Sequence, residues 1–254
     1  MIAALAMSFA DASAPPAVAA AQTAGSEPGG VARAVRSEDT EVWTPVPPIV
    51  DAPQGAPPSD AVVLFDGRSL DAWTGAGGRP PGWAIRKGSL RIQSGAGDIA
   101  TKAAFGDVQL HLEWRTLPST GEGQHRSNSG VYLMGLYEVQ LLDSFRSRTY
   151  ANGQAGAVYK QFAPLVNVSR PPLAWQSYDI VFRAPCFERG KLTRPARMTV
   201  FHNGVLIQDS VELLGPTVYQ GVPAYKPHAA ELPIKLQEHG EPVEFRNIWV
   251  RRLR

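Results

Sequence analysis

Two segments of the 254-residue chain place proton-transfer groups between apolar residues. Residues 137–143 carry Glu138 and Gln140 among apolar neighbours, and residues 233–239 carry Gln237 and His239. Glu138 follows an aromatic residue and has no Lys or Arg beside it, a setting that tends to raise a carboxyl pKa and suits general acid/base chemistry. An imidazole at a strand end can shuttle a proton. We therefore expect Glu138 to be the base and His239 the acid or a second base.

Strand alternation extends this set to a shared surface. In residues 108–115 the even positions are apolar, which turns Glu113 toward the other face, and Tyr132 is placed likewise between Val131 and Leu133. If the strands are neighbours, both join Glu138 and its companions, with the polar loop 121–129 nearby. A strand-face Glu is commonly only solvated. Arg126 and Lys235 fit either plain surface charges or stabilisers of an oxyanion.

The spacing of the candidate residues supports a metal site or a nucleophilic serine less than it supports acid/base chemistry. Five side chains have suitable ligand types, His111, Glu113, His125, Glu138 and His239, but no tight H-x-x-x-H spacing links them. A divalent metal ion is therefore considered as a cofactor without a ligand set, and no other cofactor is assigned. A nucleophile-elbow serine motif is also missing from the sequence.

The elements that must position these side chains are short strands. Runs of four to eight alternating residues, rich in Val, Ile, Leu and aromatic types, are separated by Gly, Pro, Asn and Asp. Asn203-Gly204 is a strong hairpin signal, and Lys87-Gly88 marks a second hairpin. No long pattern of period 3.6 competes. The sequence predicts an all-β, two-sheet jelly-roll sandwich of the concanavalin-like kind.

The N-terminal part differs in composition and is predicted to lie outside this domain. Residues 1–58 are rich in Ala, Pro and Gly, which favours a disordered, flexible leader, and residues 59–254 form the predicted domain. The apolar start followed by small-residue patterns at 12–14 and 17–19 resembles a secretion signal, although a basic n-region is missing. We expect an exported protein of the periplasm or cell envelope.

Charge, hydropathy and cysteine content narrow the partners. The formal net charge of +2 gives no field directed at nucleic acid, and no apolar run reaches the length of a membrane span. Cys186 is the only cysteine and has no base beside it, so we interpret it as a small, partly buried residue. The oligomeric state is left open.

Several strings in register resemble the 3-keto-disaccharide hydrolase family over about residues 60–254. The strings are LFDG at 64–67, NSGVYL at 128–133, YEVQLLDS at 137–144, GAVY at 156–159, WQSYDI at 175–180, VFHNG at 200–204, LQEHG at 236–240 and FRNIW at 245–249. Lys160 departs from the family pattern, in which a small or amide residue follows the tyrosine.

This resemblance implies a jelly roll that acts on glucosides already oxidised to a ketone at C-3. The ketone acidifies the C-2 proton; a base removes it, the C-1 leaving group departs, and water adds to the enone. Such chemistry requires a base, an oxyanion stabiliser and an acid. Glu113 and Tyr132 are expected to support Glu138 and His239. The substrate's hydroxyls or keto oxygen are expected to be bound by Arg126, Asn128, Gln140, Tyr159 and Gln237.

Three other interpretations stay open at this point. The fold also carries non-catalytic carbohydrate-binding modules, in which Trp73, Trp83 or Trp175 would be stacking platforms. A conventional glycoside hydrolase would need two carboxylates, for which Glu113 and Glu138 are the candidate pair. A structural partner of exported proteins is the third interpretation.

Overall fold

The computed structural model describes residues 36–253, which separate into a short segment up to residue 48 and a larger unit from Ile49 onward. The short segment contains one 3-10 helix, Ser37–Thr40. The predicted secretion signal and most of the predicted leader lie in residues 1–35, outside the described residues. None of the described helices is both long and apolar enough to pass through a membrane.

The larger unit is built almost entirely from strands. Fifteen strands and no α-helix occur within residues 36–253. In chain order they are β1 (Val62–Phe65), β2 (Trp73–Gly75), β3 (Ala84–Arg86), β4 (Ser89–Arg91), β5 (Ile99–Phe105), β6 (Val108–Thr116), β7 (Ser129–Leu133), β8 (Tyr137–Leu141), β9 (Gln176–Arg183), β10 (Cys186–Glu188), β11 (Lys191–Arg194), β12 (Arg197–His202), β13 (Val205–Glu212), β14 (Leu232–Leu236) and β15 (Val243–Arg252). Three short 3-10 turns complete the unit, Ala76–Gly78, Gly123–His125 and Ala151–Gly153.

The strands form two main antiparallel sheets and a small hairpin. The larger sheet has eight strands in the order β13-β12-β9-β6-β15-β4-β3, with β1 paired beside β15. The second has five strands in the order β2-β5-β14-β7-β8, and β10 pairs with β11 alone. Both predicted hairpins are present. Asn203 and Gly204 take positive φ values of 53° and 78°, as a two-residue turn between antiparallel strands requires.

Alternating apolar residues from both sheets meet in one core. On β6 the residues Leu110, Leu112 and Trp114 are buried, whereas the residues between them are only half-buried. Contacts cross between the sheets: the Tyr178 hydroxyl of β9 donates to the Gln140 carbonyl of β8 at 2.9 Å. The Tyr137 and Phe182 rings, also from opposite sheets, lie 5.4 Å apart between centroids. The predicted all-β two-sheet jelly-roll sandwich is confirmed.

Candidate active site

The candidate site begins as a row of side chains across three strands of the five-stranded sheet. Lys235 of β14 pairs with Tyr132 of β7, and Tyr132 pairs with Glu138 of β8. Their strand neighbours Val131, Val139 and Leu236 belong to the core, so the row lies on the outer face. Paired residues on one face of a sheet have close Cβ atoms, which lets these three side chains interact.

A loop segment and a second loop cover this outer face beside β8. The Tyr159 amide donates to the Glu138 carbonyl at 3.3 Å, and the Gln140 amide donates to the Ala157 carbonyl at 3.0 Å. The Glu138 amide donates to the Thr217 hydroxyl at 3.0 Å. Glu138 is therefore only 3% exposed, although its strand face alone would leave it open to solvent.

The covered face encloses a polar cavity of about 370 Å³. Its walls combine amide, hydroxyl, imidazole and ammonium groups with a single carboxylate among the described residues. The lining residues are Gln124, His125, Asn128, Tyr132, Glu138, Gln140, Tyr150, Tyr159, Lys160, Thr217, Tyr219, Gln237 and His239. Many hydrogen-bonding groups around one carboxylate suit a polyhydroxylated ligand and a proton-transfer step.

Glu138 has the electrostatic properties of a base that works near neutral pH. Burial raises the pKa of its carboxyl from 4.5 to about 7, because the charged form loses hydration. A hydrogen bond from the Tyr132 hydroxyl and the charge of Lys235 oppose this rise, and Asp98 adds to it. Burial, followed by the charge of Glu138, also raises the pKa of Tyr132, which keeps its hydroxyl a proton donor.

Lys235 and Asp98 form the end of the same row. The Lys235 ammonium contacts Asp98 Oδ2 at 2.9 Å and lies 4.1 Å from the centre of the Tyr132 ring. Asp98 Oδ1 also accepts the Glu238 amide at 2.9 Å, which fixes the chain just after β14. The row therefore holds Tyr132 between a cation and the candidate base.

Amide side chains surround the other side of Glu138. In one orientation the Gln140 amide nitrogen donates to Gln124 Oε1 at 3.0 Å; turned over, it donates to Ser129 O at 3.0 Å and to Glu138 Oε1 at 3.2 Å. The Gln237 amide donates to the Tyr132 hydroxyl at 3.3 Å. These donors supply hydrogen bonds to a carboxylate or an oxyanion without adding charge.

Gly130 provides the room for this arrangement. It pairs with Gln140 on the outer face, between the rows of larger side chains. A methyl group at this position would collide with the Glu138 carboxylate and the Tyr132 ring. The close approach of these two side chains therefore depends on glycine.

Seven of the nine predicted site residues line the cavity. Glu138, Tyr132 and Gln140 come from β7 and β8, and the other four are on adjoining segments, namely Asn128, Tyr159, Gln237 and His239. His239 is exposed and follows the end of β14 instead of lying within the strand. Their roles in catalysis or binding stay predictions.

Glu113 and Arg126 are placed elsewhere. The prediction that Glu113 shares the surface of Glu138 is wrong, because its strand β6 belongs to the eight-stranded sheet. There it accepts hydrogen bonds from Arg246 at 2.6 Å and Asn247 at 3.0 Å. Arg126 is not among the described residues that line the cavity, and its guanidinium pairs with buried Asp143 at 2.5 Å.

Sequence reasoning missed the residues that loops bring into the cavity. Tyr150, Tyr219 and Thr217 come from irregular segments, where no periodicity indicates which way a side chain points. Gln124 lies in the polar loop that was expected near the site, but it was not selected. The Tyr150 and Tyr159 hydroxyls are joined at 2.7 Å, a contact that only the fold reveals.

Three of the five side chains considered as metal ligands, His125, Glu138 and His239, line the cavity. The other two, His111 and Glu113, are on β6 of the eight-stranded sheet, where His111 hydrogen-bonds Asp179 at 2.7 Å. Within residues 36–253, no group of three or more His, Cys, Asp or Glu side chains is arranged to hold a metal ion. No other cofactor is assigned, either from the residue pattern or from the geometry.

Residues 60–251 match the family described as the 3-keto-alpha-glucoside-1,2-lyase-like domain. The chain belongs to this family. A crystal structure of a candidate glycosyl hydrolase from Parabacteroides distasonis is similar to this family member at 43% identity and a TM-score of 0.83, covering 89% of this chain and 100% of that one. Among curated proteins, no match is found.

Two more candidate glycosyl hydrolases from the same organism share the fold of this 3-keto-alpha-glucoside-1,2-lyase-like chain. Both are 20% identical, with TM-scores of 0.57 and 0.51; they cover 77% and 76% of this chain and 94% and 99% of their own. At that identity they show the fold alone. Family membership assigns the protein to carbohydrate processing. The polar cavity is lined by most of the site residues that were predicted from the sequence.

Proposed function

We propose that the protein cleaves 3-keto-glucosides by elimination followed by hydration, with Glu138 as the general base. The observation that carries the proposal is one buried carboxylate, the single acidic group among the described residues that line the polar cavity, with its pKa raised to about 7 by burial. A base of this pKa is ionised in half of the molecules near neutral pH and is still strong enough to take a carbon-bound proton next to a ketone.

In the first step, Glu138 takes the proton from C-2, and the electrons of that bond form an enolate whose charge lies on the C-3 oxygen. When the enolate collapses, the ketone is restored and a double bond forms between C-2 and C-1. The bond from C-1 to the leaving oxygen breaks, and that oxygen gains a proton from an acid. His239 fills this role because it lines the cavity and is exposed, so solvent can return its proton. The products are an enone sugar and a free alcohol.

In the second step, water adds to C-1 of the enone and C-2 is protonated again by Glu138. The sum of both steps is hydrolysis, with no oxidant or reductant consumed. Negative charge develops on the C-3 oxygen in each step. The neutral donors Tyr132, Gln140 and Asn128 line the same cavity as the carboxylate and would stabilise this developing charge, with no cation needed in contact.

The cavity does not provide the arrangement that a conventional glycosidase requires. Such enzymes use two carboxylates on either side of the scissile bond. Among the described lining residues, Glu138 is the single acidic one, and the second candidate, Glu113, lies on the other sheet. The elimination route needs one carboxylate, which matches the composition of this cavity.

The test uses the full chain with a methyl 3-keto-glucoside and its unoxidised parent, with and without a chelator, followed by NMR. We expect cleavage of the keto sugar alone. Glu138→Gln should lower kcat/KM by about 10³-fold, the range of a general base, and Glu113→Gln should change it by less than about twofold. Circular dichroism confirms folding of both variants.

Each other result has a defined meaning. Cleavage of the parent sugar, or full activity of folded Glu138→Gln, overturns the proposed chemistry. Binding of sugars without cleavage of either identifies a carbohydrate-binding module. Loss of activity with the chelator would show that the reaction also requires a metal ion. The role of Glu138 as the base would still be tested by the Glu138→Gln variant.

A further inference from the structure

A second, more open cavity adjoins the candidate active site. Its volume is about 550 Å³, and its described walls are Tyr150, Asn152, Lys160, Tyr219, Gln220 and Gly221. Tyr150, Lys160 and Tyr219 also line the cavity that contains Glu138, so the two spaces share one wall. A ligand held in the first cavity can extend past these three side chains into the second.

Lys160 stands at this shared wall in an unusual backbone conformation. Its φ is 58°, a left-handed value that lysine seldom adopts. The Lys160 amide donates to the Asn152 carbonyl at 2.8 Å, which holds this conformation in place. Residues kept in such sparsely populated regions are concentrated at functional sites.

The Lys160 ammonium is surrounded by tyrosines and has an unused capacity for an anion. Its Nζ donates to the Tyr219 carbonyl at 2.7 Å and lies 4.2 Å from the Tyr219 ring centre and 5.8 Å from that of Tyr150. Within the described part of the chain, no carboxylate oxygen lies within 4.0 Å of this ammonium to form an ion pair. An ammonium has three donors, and two stay available for a ligand.

The same wall offers a flat surface next to the charge. The side chain of Tyr219 is 71% exposed and that of Tyr150 is 41% exposed, in a protein whose other tyrosines are mostly covered. An exposed tyrosine ring stacks well on a sugar ring or an aromatic ring. The wall therefore combines a stacking surface with one cation, which matches a ring that carries a single negative charge.

We propose that the second cavity is the subsite for the leaving group, and that Lys160 selects glucosides whose leaving group carries a carboxylate. This rests on the proposed function, because that function defines the sugar in the first cavity as the oxidised part. Tyr159 links the two spaces: its amide bonds the Glu138 carbonyl, and its hydroxyl bonds that of Tyr150. An acidic sugar or an aromatic acid on C-1 would extend past it toward Lys160.

The test compares two matched probes, a 4-carboxyphenyl glucoside and the neutral 4-carboxamidophenyl glucoside of the same shape. Calorimetry measures the Kd of the unoxidised forms, and NMR measures kcat/KM of their 3-keto forms. We expect the carboxylate probe to bind about fivefold more tightly, as a partly exposed ion pair allows. High salt should reduce this preference.

Two variants assign the preference to Lys160. Lys160→Met should bring the Kd values of the two probes to within about twofold of each other, and Lys160→Arg should keep part of the preference. The matched control is Lys191→Met on exposed β11, which should behave as the wild type. Equal affinity for the two probes, no binding of either, or a preference that survives in Lys160→Met overturns the subsite.

Failure of the subsite and failure of the proposed function give different results. If the 3-keto probes are not cleaved but the Lys160-dependent difference in Kd is present, the subsite stands and the elimination chemistry fails. If both 3-keto probes are cleaved at equal kcat/KM with equal Kd values, the chemistry stands and the subsite fails.

Discussion

The two sheets of the sandwich both carry polar residues on their outer faces, but the surroundings of a glutamate differ between them. Glu113 on the eight-stranded sheet is paired with Arg246 at 2.6 Å, and its side chain is 22% exposed. Glu138 on the five-stranded sheet has a tyrosine partner and is 3% exposed. Strand alternation generates both positions equally, so the covering loops and the partners create the difference.

On the eight-stranded sheet, the pairing continues from strand to strand. Two guanidinium groups lie over the Trp175 ring, that of Arg115 at 4.5 Å and that of Arg246 at 4.2 Å from the ring centre. Arg115 in turn pairs with Glu244 at 2.6 Å. A face whose charges neutralise each other has a structural role. The face of the five-stranded sheet keeps a buried carboxylate poised between two protonation states, which is costly for folding and useful for chemistry.

The largest expected effect of this difference is on stability. The raised pKa of Glu138 means that ionisation favours the unfolded chain. The contribution of Glu138 to stability is therefore fully present below pH 4.5 and is lost as the pH rises through about 7. Glu138→Gln removes this penalty and should raise the free energy of unfolding by about 3 kcal/mol at pH 9.

Urea unfolding of the wild type and Glu138→Gln at pH 4 and pH 9 measures this effect. The stabilisation should be seen at pH 9 and should disappear at pH 4, where the wild-type carboxyl is protonated as well. Equal stability of the two proteins at both pH values would mean that burial does not raise the pKa of Glu138.

The contrast between the two sheets also shows which features of the fold and the site can be predicted from the sequence. Alternation along β6, β7 and β8 predicts the sandwich and places Glu138, Gln140 and Tyr132 opposite the core, because the two-residue period is a local property. It does not tell which strands share a sheet, because that depends on contacts far apart in sequence. This is why Glu113 was grouped with Glu138.

Local reasoning predicts a raised pKa for Glu138 from its sequence neighbours, but it does not predict how completely the side chain is buried. Its strand alone indicates a solvated position, and only the segments around Tyr159 and Thr217 close over it. The tyrosines of the Lys160 wall come from such irregular segments as well. The motif at 156–159 indicates that this segment matters, but its lack of periodicity hides the direction of its side chains.

Removing the charges beside Tyr132 should change the pKa of Glu138, and this effect should be of intermediate size. Lys235 lowers the pKa of Glu138 and Asp98 raises it. Lys235→Met should therefore move the midpoint of the rising limb of kcat/KM upward by about one pH unit, and Asp98→Asn should move it downward. The plateau at high pH should change less than the midpoint, which separates this tuning from a loss of structure. Shifts in the same direction for both variants would contradict the assignment.

The smallest effect should come from the paired glutamate on the other sheet. Glu113→Gln removes the charge that faces Arg246 but keeps an oxygen for Asn247, in a pair that water screens. We expect a loss of less than about 1 kcal/mol in the free energy of unfolding, nearly independent of pH between 6 and 9. In that range, stability should depend on pH for the wild type and for Glu113→Gln alike, because both retain Glu138. If the pH dependence of stability disappeared in Glu113→Gln but persisted in Glu138→Gln, the carboxylate with the raised pKa would be Glu113 and not Glu138.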